Sequence, residues 1–244
     1  MLNIFLLIFA IQIAFFAFAS WFKTDKVTDL SYGLTFVLVA LYLWYLGSPL
    51  LLISMPVLWG LRLAGYLFLR ILRTKTDKRF DGIRESFWVF AKFWLLQAVA
   101  IFVISLSMIV AEPALVREQY LIWGWLIFAL GLLIESVSDQ QKFNFKNQPA
   151  NTGKFITTGL WRYSRHPNYF GEMLVWWGIY FFVLPSLSGW ANLAILSPLF
   201  ITMLLLFVSG IPTLEKQYPK RYGRAWLDYK RRTSLLIPWW PRNP

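Results

Sequence analysis

The chain has 244 residues, of which 58% are hydrophobic, and its mean hydropathy of +0.53 exceeds what a soluble domain of this length can hide. Its net charge is +12, and with no cysteine it excludes disulfides and thiol chemistry. A single histidine then leaves no means of building a usual zinc or haem site, so no metal site is expected.

Apolar runs near 2–22, 30–46, 49–72, 87–110, 119–138, 169–185 and 190–211 approach the ~20 helical residues that cross a ~30 Å hydrocarbon layer. The alternating pattern of a barrel strand is absent, and lipid admits only helices or closed barrels. The expected fold is therefore an all-α polytopic membrane bundle of about seven transmembrane helices. The first run lacks a basic n-region and a small-residue cleavage site, so it is expected to be a retained helix. One integral-membrane domain is expected: N-terminal helices over 1–48, a helical core over 49–211 containing a loop region 135–172, and an interfacial tail over 212–244.

Lys and Arg mark the cytoplasmic side of short loops. Arg70, Arg73, Lys75, Lys78, Arg79 and Arg84 follow the third run, and Lys142, Lys146, Lys154, Arg162 and Arg165 follow the fifth. The tail is basic as well, whereas the opposite loops contain only Arg117. The N-terminus is thus expected outside and the C-terminus in the cytoplasm. Because the cations flank lipid, membrane lipids rather than nucleic acid are the expected partners.

Ionisable side chains within a bundle are costly and mark candidate sites. In the third run, Trp59, Arg62, Tyr66 and Arg70 recur at 3- and 4-residue steps on one stripe. Arg70 can snorkel, but Arg62 lies roughly 12 Å deeper. At the end of the fifth run come Glu135, Ser138, Asp139, Lys142 and Lys146. Glu135 and Asp139 are like charges at i, i+4, tolerable only with donors facing them, from protein cations or a ligand's hydroxyls and amide. An acid near phosphate-holding lysines is what a nicotinamide dinucleotide requires; a solvated helix end with Glu–Lys pairs is the structural alternative.

The most informative stretch is GLWRYSRHPNYFGE, Gly159 to Glu172, which crowds Arg165, His166, Asn168, Tyr169 and Glu172 against the start of an apolar helix. Pro167 suits the first helical turn, and Asn168 and Glu172 then share a face. A phosphorylated cofactor at the membrane surface would find this chemistry; a basic loop entering a membrane helix is the plainer reading. The tail adds Glu215, Tyr218, Lys220, Arg221, Tyr222, Arg224 and Tyr229, a pattern shared with basic interfacial helices. No GxGxxG, GxxxxGK[ST] or GxSxG motif is present, so a nucleotide would be held by loop cations and helix ends.

GLWRYSRHPNYFGE, with ESVSDQQKFNFK upstream and Ile-Pro near the end, resembles the C-terminal domain of the steroid 5α-reductase-like family, in its bacterial branch of unassigned substrate, over roughly 55–244. The resemblance implies a seven-helix bundle in a bacterial inner membrane. It would bind NADPH from the cytoplasm and reduce a carbon–carbon double bond conjugated to a ketone in a lipid-like substrate. It further implies that Asp139, Lys146, Lys154, Tyr163, Asn168 and Glu172 contact the cofactor, that Glu135 and Ser138 neighbour it, and that Tyr222 supplies a tail tyrosine. Lys142, Arg165, His166 and Tyr169, within the same motifs, complete the expected cofactor set. Lys146 and Lys154 replace the arginines of steroid-reducing members, keeping charge but losing bidentate geometry. Trp59 replaces a ketone-binding tyrosine, and a Gln-Glu pair of the second span has no counterpart, so a 3-keto-steroid is not implied. Tyr66 and Arg62 are the expected catalytic pair.

RHPNY followed by Gly, together with Glu215…YGRAWLDYKRR…IP, also resembles the isoprenylcysteine carboxyl methyltransferase-like family, which would imply S-adenosylmethionine instead. Methyl transfer has no need of bisphosphate-holding cations, so Lys146, Lys154 and Asp139 favour NADPH. A non-catalytic lipid-binding protein is the third reading.

Overall fold

The computed structural model describes the backbone of residues 1–74, 80–111 and 118–242, and the side chains of 1–71, 80–111 and 122–242. Lys75, Lys78, Arg79, Arg117 and the side chain of Arg73 lie outside the described residues.

Helices dominate: α1 Leu2–Trp21, α2 Thr28–Tyr45, α3 Leu50–Thr74, α4 Phe87–Ile104, α5 Leu106–Ile109, α6 Glu118–Lys146, α7 Pro167–Val183, α8 Leu196–Met203 and α9 Ile211–Arg232. No β-strand occurs among the described residues. Among the described residues, five segments are long and apolar enough to cross a membrane: Leu2–Trp21, Leu50–Ile71, Phe87–Ile104, Ile122–Lys146 and, within Gly189–Arg232, an apolar part that ends before α9. The chain is therefore an integral membrane protein. The second and sixth apolar runs do form helices, α2 and α7, without meeting that standard. Helix α2 opens on Thr-Asp-Leu-Ser-Tyr-Gly, and α7 has 17 residues, which at 1.5 Å per residue is about 25 Å.

The other runs also acquire detail. The fourth breaks at buried Ser105 into α4 and α5. The fifth continues as helix to Lys146, so Asp139, Lys142 and Lys146 sit on α6 rather than in a loop. The seventh is a 3-10 turn over Gly189–Ile195, then α8, then a π turn over Leu204–Val208. Helix α9 holds seven Lys and Arg in 22 residues, and it is kinked at Gly223, whose φ of 56° and ψ of −133° are open to glycine alone.

The chain forms two compact units, Met1–Ile122 with Ile179–Ser197, and Trp123–Gly178 with Pro198–Pro244. In the first, α2 and α3 touch through glycine: a Cβ on Gly33 would lie 2.8 Å from the Gly60 carbonyl oxygen, and the converse holds at 2.8 Å. Trp59 is buried there edge-on to Phe36 at 5.2 Å, so it belongs to the α2–α3 packing. Arg70 does not simply snorkel but pairs with Asp29 at 2.9 Å. A buried polar network joins α1, α2 and α4: Gln12 Nε2 donates to Thr35 Oγ1 at 2.7 Å, while Gln97 Nε2 donates to Gln12 Oε1 at 2.9 Å and Ser31 Oγ at 3.1 Å. In the second unit α6 and α7 are in backbone contact, since a Cβ on Gly171 would meet the Glu135 nitrogen at 2.6 Å and the Gly131 carbonyl oxygen at 2.7 Å.

Candidate functional site

The second unit positions the motif from Gly159 to Glu172. Gly159, in the left-handed region at φ +63°, turns the chain into a 3-10 helix over Gly159–Arg162. The Leu160 N–H donates to Gln141 Oε1 at 2.9 Å and Trp161 Nε1 donates to the Ser138 carbonyl at 2.9 Å, fixing this turn to α6. Helix α7 then starts at Pro167, as proline's missing N–H and fixed φ favour. Asn168, Tyr169 and Glu172 occupy its first two turns, and Glu172 follows the Gly171 contact with Glu135.

The tail clamps the same motif from beyond α9. Arg165 N–H donates to the Ser234 carbonyl at 2.9 Å, Ser164 Oγ to the Leu236 carbonyl at 2.6 Å, and Trp239 N–H to the Tyr163 carbonyl at 3.0 Å. The Tyr229 hydroxyl donates to the carbonyls of Trp161 and Ser164. Burial pushes the Tyr229 hydroxyl well above the ordinary phenol range, so it remains a donor.

Glu215 of α9 is the electrostatic centre. Its carboxylate accepts from Arg165 Nη1 at 2.5 Å, His166 Nε2 at 3.2 Å and Lys230 Nζ at 2.9 Å. Burial pushes this carboxyl up, but hydrogen bonds from His166 and Lys230 and the charges of Arg165 and Lys230 outweigh it and hold it at about 2. His166, 1% exposed, moves down: burial disfavours its cation and outweighs Glu215, and Lys142 and Arg165 add to the effect. A neutral ring donating Nε2–H to Glu215 presents Nδ1 as an acceptor. Buried Nδ1 finds no partner among the described residues, nor do Asn168 Oδ1, Arg165 Nε and Trp226 Nε1. Two acceptors and two donors are thus left without hydrogen bonds in one loop, helix start and tail, against the rule that buried polar groups are paired.

Beside them lies a cavity lined by Lys142, Lys146, Arg165, Trp161, Tyr222 and Trp226, with Phe145, Phe155, Ile156, Tyr218 and Tyr229 completing its wall. Its volume is about 20 Å³, room for roughly one water. Lys142 helps to close it, with Nζ 4.7 Å from the Trp161 ring centroid. Of the expected cofactor residues, Lys142, Lys146, Arg165 and Tyr222 converge on this wall. Glu135, Ser138 and Asp139 are buried on α6. Tyr163 packs edge-on to Trp240 at 5.4 Å. Lys154 is exposed and outside the wall. His166 and Tyr169 stack at 5.6 Å. Arg62 and Tyr66 lie in the first unit, the guanidinium 5.5 Å from the tyrosine ring centroid. Glu215, Trp161 and Trp226 were absent from the expected set. Glu215 carries a sequence signal only as a member of the tail cluster and of the methyltransferase-like pattern, neither of which assigns it a place among the cofactor residues.

The donor set suits a phosphorylated nucleotide: three cations for phosphate, aromatic faces for a base and unpaired amide and imidazole acceptors for an amide N–H. Admitting one requires the Lys142 and aromatic side chains to swing aside.

Residues 15–233 match DUF1295, a protein family of unknown function. Among curated relatives, 3-oxo-5-alpha-steroid 4-dehydrogenase 1 of Rattus norvegicus is 30% identical over 116 residues, 47% of this chain and 40% of the relative. Methanethiol S-methyltransferase of Pseudomonas deceptionensis is 26% identical over 160 residues, 62% of this chain and 55% of the relative. Probable O-methyltransferase ustE of Ustilaginoidea virens is 48% identical over 52 residues, 21% of this chain and 18% of the relative. The chain thus spans about half or less of the length of these relatives. No solved structure matches. The steroid 5α-reductase-like resemblance of the motif and the weaker methyltransferase one both reappear among the relatives, and the match over nearly the whole chain places this protein in the DUF1295 family.

Proposed function

We propose that this protein is an NADPH-dependent membrane reductase acting on a double bond conjugated to a carbonyl in a steroid-like or other lipid. The observation that carries the reading is the convergence of Lys142, Lys146 and Arg165 with Tyr222 and Trp226 on one wall, in a unit that also leaves Asn168 Oδ1 and His166 Nδ1 unpaired. The accompanying topology is seven helices across a bacterial inner membrane, with the N-terminus outside and the cofactor segment 135–172, from the end of α6 to the start of α7, at the cytoplasmic side.

When bound, the reduced nicotinamide supplies a hydride for the β-carbon of the enone. Lys142, Lys146 and Arg165 neutralise phosphate charge, Lys154 adds a longer-range cation, and Asn168 accepts from an amide N–H. Asp139, with Glu135 and Ser138 beside it on α6, accepts from ribose hydroxyls; Tyr163, Tyr169, Glu172 and Tyr222 border the nucleotide. Tyr66 donates its hydroxyl proton toward the substrate carbonyl oxygen, where negative charge develops, and Arg62 holds the tyrosine in place. The α-carbon is protonated from Tyr66 or water.

Thermal unfolding of the detergent-purified protein with NADPH, NADH or S-adenosylmethionine tests this, since a ligand at 100 times its Kd adds about 2.7 kcal/mol. A shift with NADPH and none with S-adenosylmethionine supports the reductase. Tyr66→Phe is then expected to keep the NADPH shift and to slow nicotinamide oxidation with an enone lipid. The methyltransferase relative matched over 62% of the chain favours a second reading, a membrane methyltransferase, which a shift with S-adenosylmethionine alone would establish in place of the first. No shift with any of the three would leave a lipid-binding protein.

A further inference from the structure

Beyond the cofactor wall, the tail builds a second feature of opposite character. After α9 the chain runs back along the motif, held by Arg165 N–H on the Ser234 carbonyl at 2.9 Å, Trp239 N–H on the Tyr163 carbonyl at 3.0 Å and Arg242 N–H on the Arg232 carbonyl at 3.0 Å. These backbone bonds fix the Arg232 and Arg242 backbones to one another and tie the segment after α9 to the turn that bears Arg162. The result is an open groove of about 760 Å³ lined by Thr157, Arg162, Arg232, Thr233, Trp240 and Arg242. None of the three guanidinium groups has an ion-pair partner among the described residues. The one carboxylate side chain at the groove among the described residues, Asp228, faces Arg231 at 3.6 Å.

Three arginines without ion-pair partners among the described residues around one open concavity raise its positive potential, which favours the entry of an anion. Guanidinium forks and the Thr157 hydroxyl match the oxygens of a phosphate, which accept such donors in pairs. The rim indicates where such a phosphate comes from. Ile237, Trp239 and Trp240 are 60%, 70% and 74% exposed, and tryptophan beside arginine is the composition of a segment at the headgroup level of a bilayer. We infer that the Arg162–Arg232–Arg242 groove is a phosphate site, filled by the headgroup of an anionic phospholipid, and separate from the cofactor wall. This inference does not rest on the reductase reading.

Native mass spectrometry of the full chain in detergent tests it, titrating phosphatidylglycerol, phosphatidylcholine and inorganic pyrophosphate against the wild type and two triple variants. R162Q/R232Q/R242Q empties the groove of charge; K216Q/K220Q/R224Q removes the same charge from α9 outside it. Phosphatidylglycerol is expected to bind the wild type at least tenfold more tightly than the groove variant, with the α9 variant unchanged and phosphatidylcholine weak throughout. The same pattern with pyrophosphate but not phosphatidylglycerol keeps the phosphate site and gives it a soluble ligand. Equal losses in both triple variants, or no binding by either probe, overturn the site in favour of diffuse charge. Should the groove variant fail to purify as a monodisperse species, Arg242→Gln alone, near the chain end, is read in the same way with an expected loss of about threefold.

Discussion

Each unit of the molecule buries a polar cluster, and the two clusters are finished to different degrees. In the first, Gln12, Ser31, Thr35 and Gln97 satisfy one another: the Gln12 amide both donates and accepts, and the Thr35 hydroxyl returns its proton to the Ser31 carbonyl at 2.6 Å. Such closed networks join helices where lipid offers no hydrophobic contrast between them. In the second, Arg165, His166 and Lys230 converge on Glu215, yet His166 Nδ1, Arg165 Nε and Asn168 Oδ1 have no hydrogen-bond partner among the described residues. A closed network stabilises the fold, whereas an open one leaves buried hydrogen-bonding capacity unspent, which under the proposed function serves a ligand.

The sharpest way to break this contrast is at Glu215. Glu215→Ala leaves the Arg165 guanidinium, whose side chain is 8% exposed, without its carboxylate, and should cost about 3 kcal/mol in unfolding free energy. It should also remove any NADPH-induced shift, because His166 loses the acceptor that fixes its tautomer. The wild type has its own pH signature. A carboxyl at about 2 in the folded protein and near 4.5 when unfolded contributes stability that is complete above 4.5 and lost as pH falls toward 2. His166, shifted down from 6.5, acts in the same direction, because the unfolded chain binds its proton first as pH falls. Urea unfolding across that range should show stability falling with acidity, with a shallower fall below pH 4.5 in Glu215→Ala.

Next in size is Gly171. A leucine there would drive its Cβ into the Glu135 nitrogen and the Gly131 carbonyl, both backbone, and overpacking of this kind costs about 1–3 kcal/mol. Circular dichroism melting checks the cost. A retained midpoint would show that α6 and α7 do not depend on this contact.

What could be read from the sequence follows how local each feature is. Apolar runs locate helices because lipid and the 3.6-residue repeat leave few other solutions, and Pro167 marks the start of α7 because proline's fixed φ and missing N–H favour a first helical turn. The count of spans is less legible, since α7 is short and α2 begins with polar residues. Non-local links leave no local trace. Arg165 meets Glu215 across 50 residues, Gln97 meets Gln12 across 85, and the tail clamp uses backbone groups that carry no residue identity. Stripe periodicity likewise grouped Trp59 with Arg62 and Tyr66, although the tryptophan is consumed by packing against Phe36.

The closed network offers a milder perturbation. Gln12→Leu strands the Gln97 amide against one lost acceptor and should cost about 1 kcal/mol. The double variant Gln12→Leu/Gln97→Leu removes both amides and should recover part of that loss. Thermal melting of the set reads the coupling, and ligand shifts should stay at wild-type size in all of them. A ligand shift lost in Gln12→Leu would mean that the first cluster is not closed after all.

Asn168 should show the smallest effect on stability and the clearest effect on binding. Its buried Oδ1 accepts no hydrogen bond among the described residues, so Asn168→Ala discards an unpaired polar atom and should leave the melting midpoint within about 0.5 kcal/mol of wild type. The NADPH shift should disappear with it. Melting with and without NADPH separates two origins for that unpaired oxygen. A preserved midpoint with a lost shift identifies an acceptor held for ligand, whereas a destabilised protein that still responds to NADPH would place Asn168 among the groups that only support the start of α7.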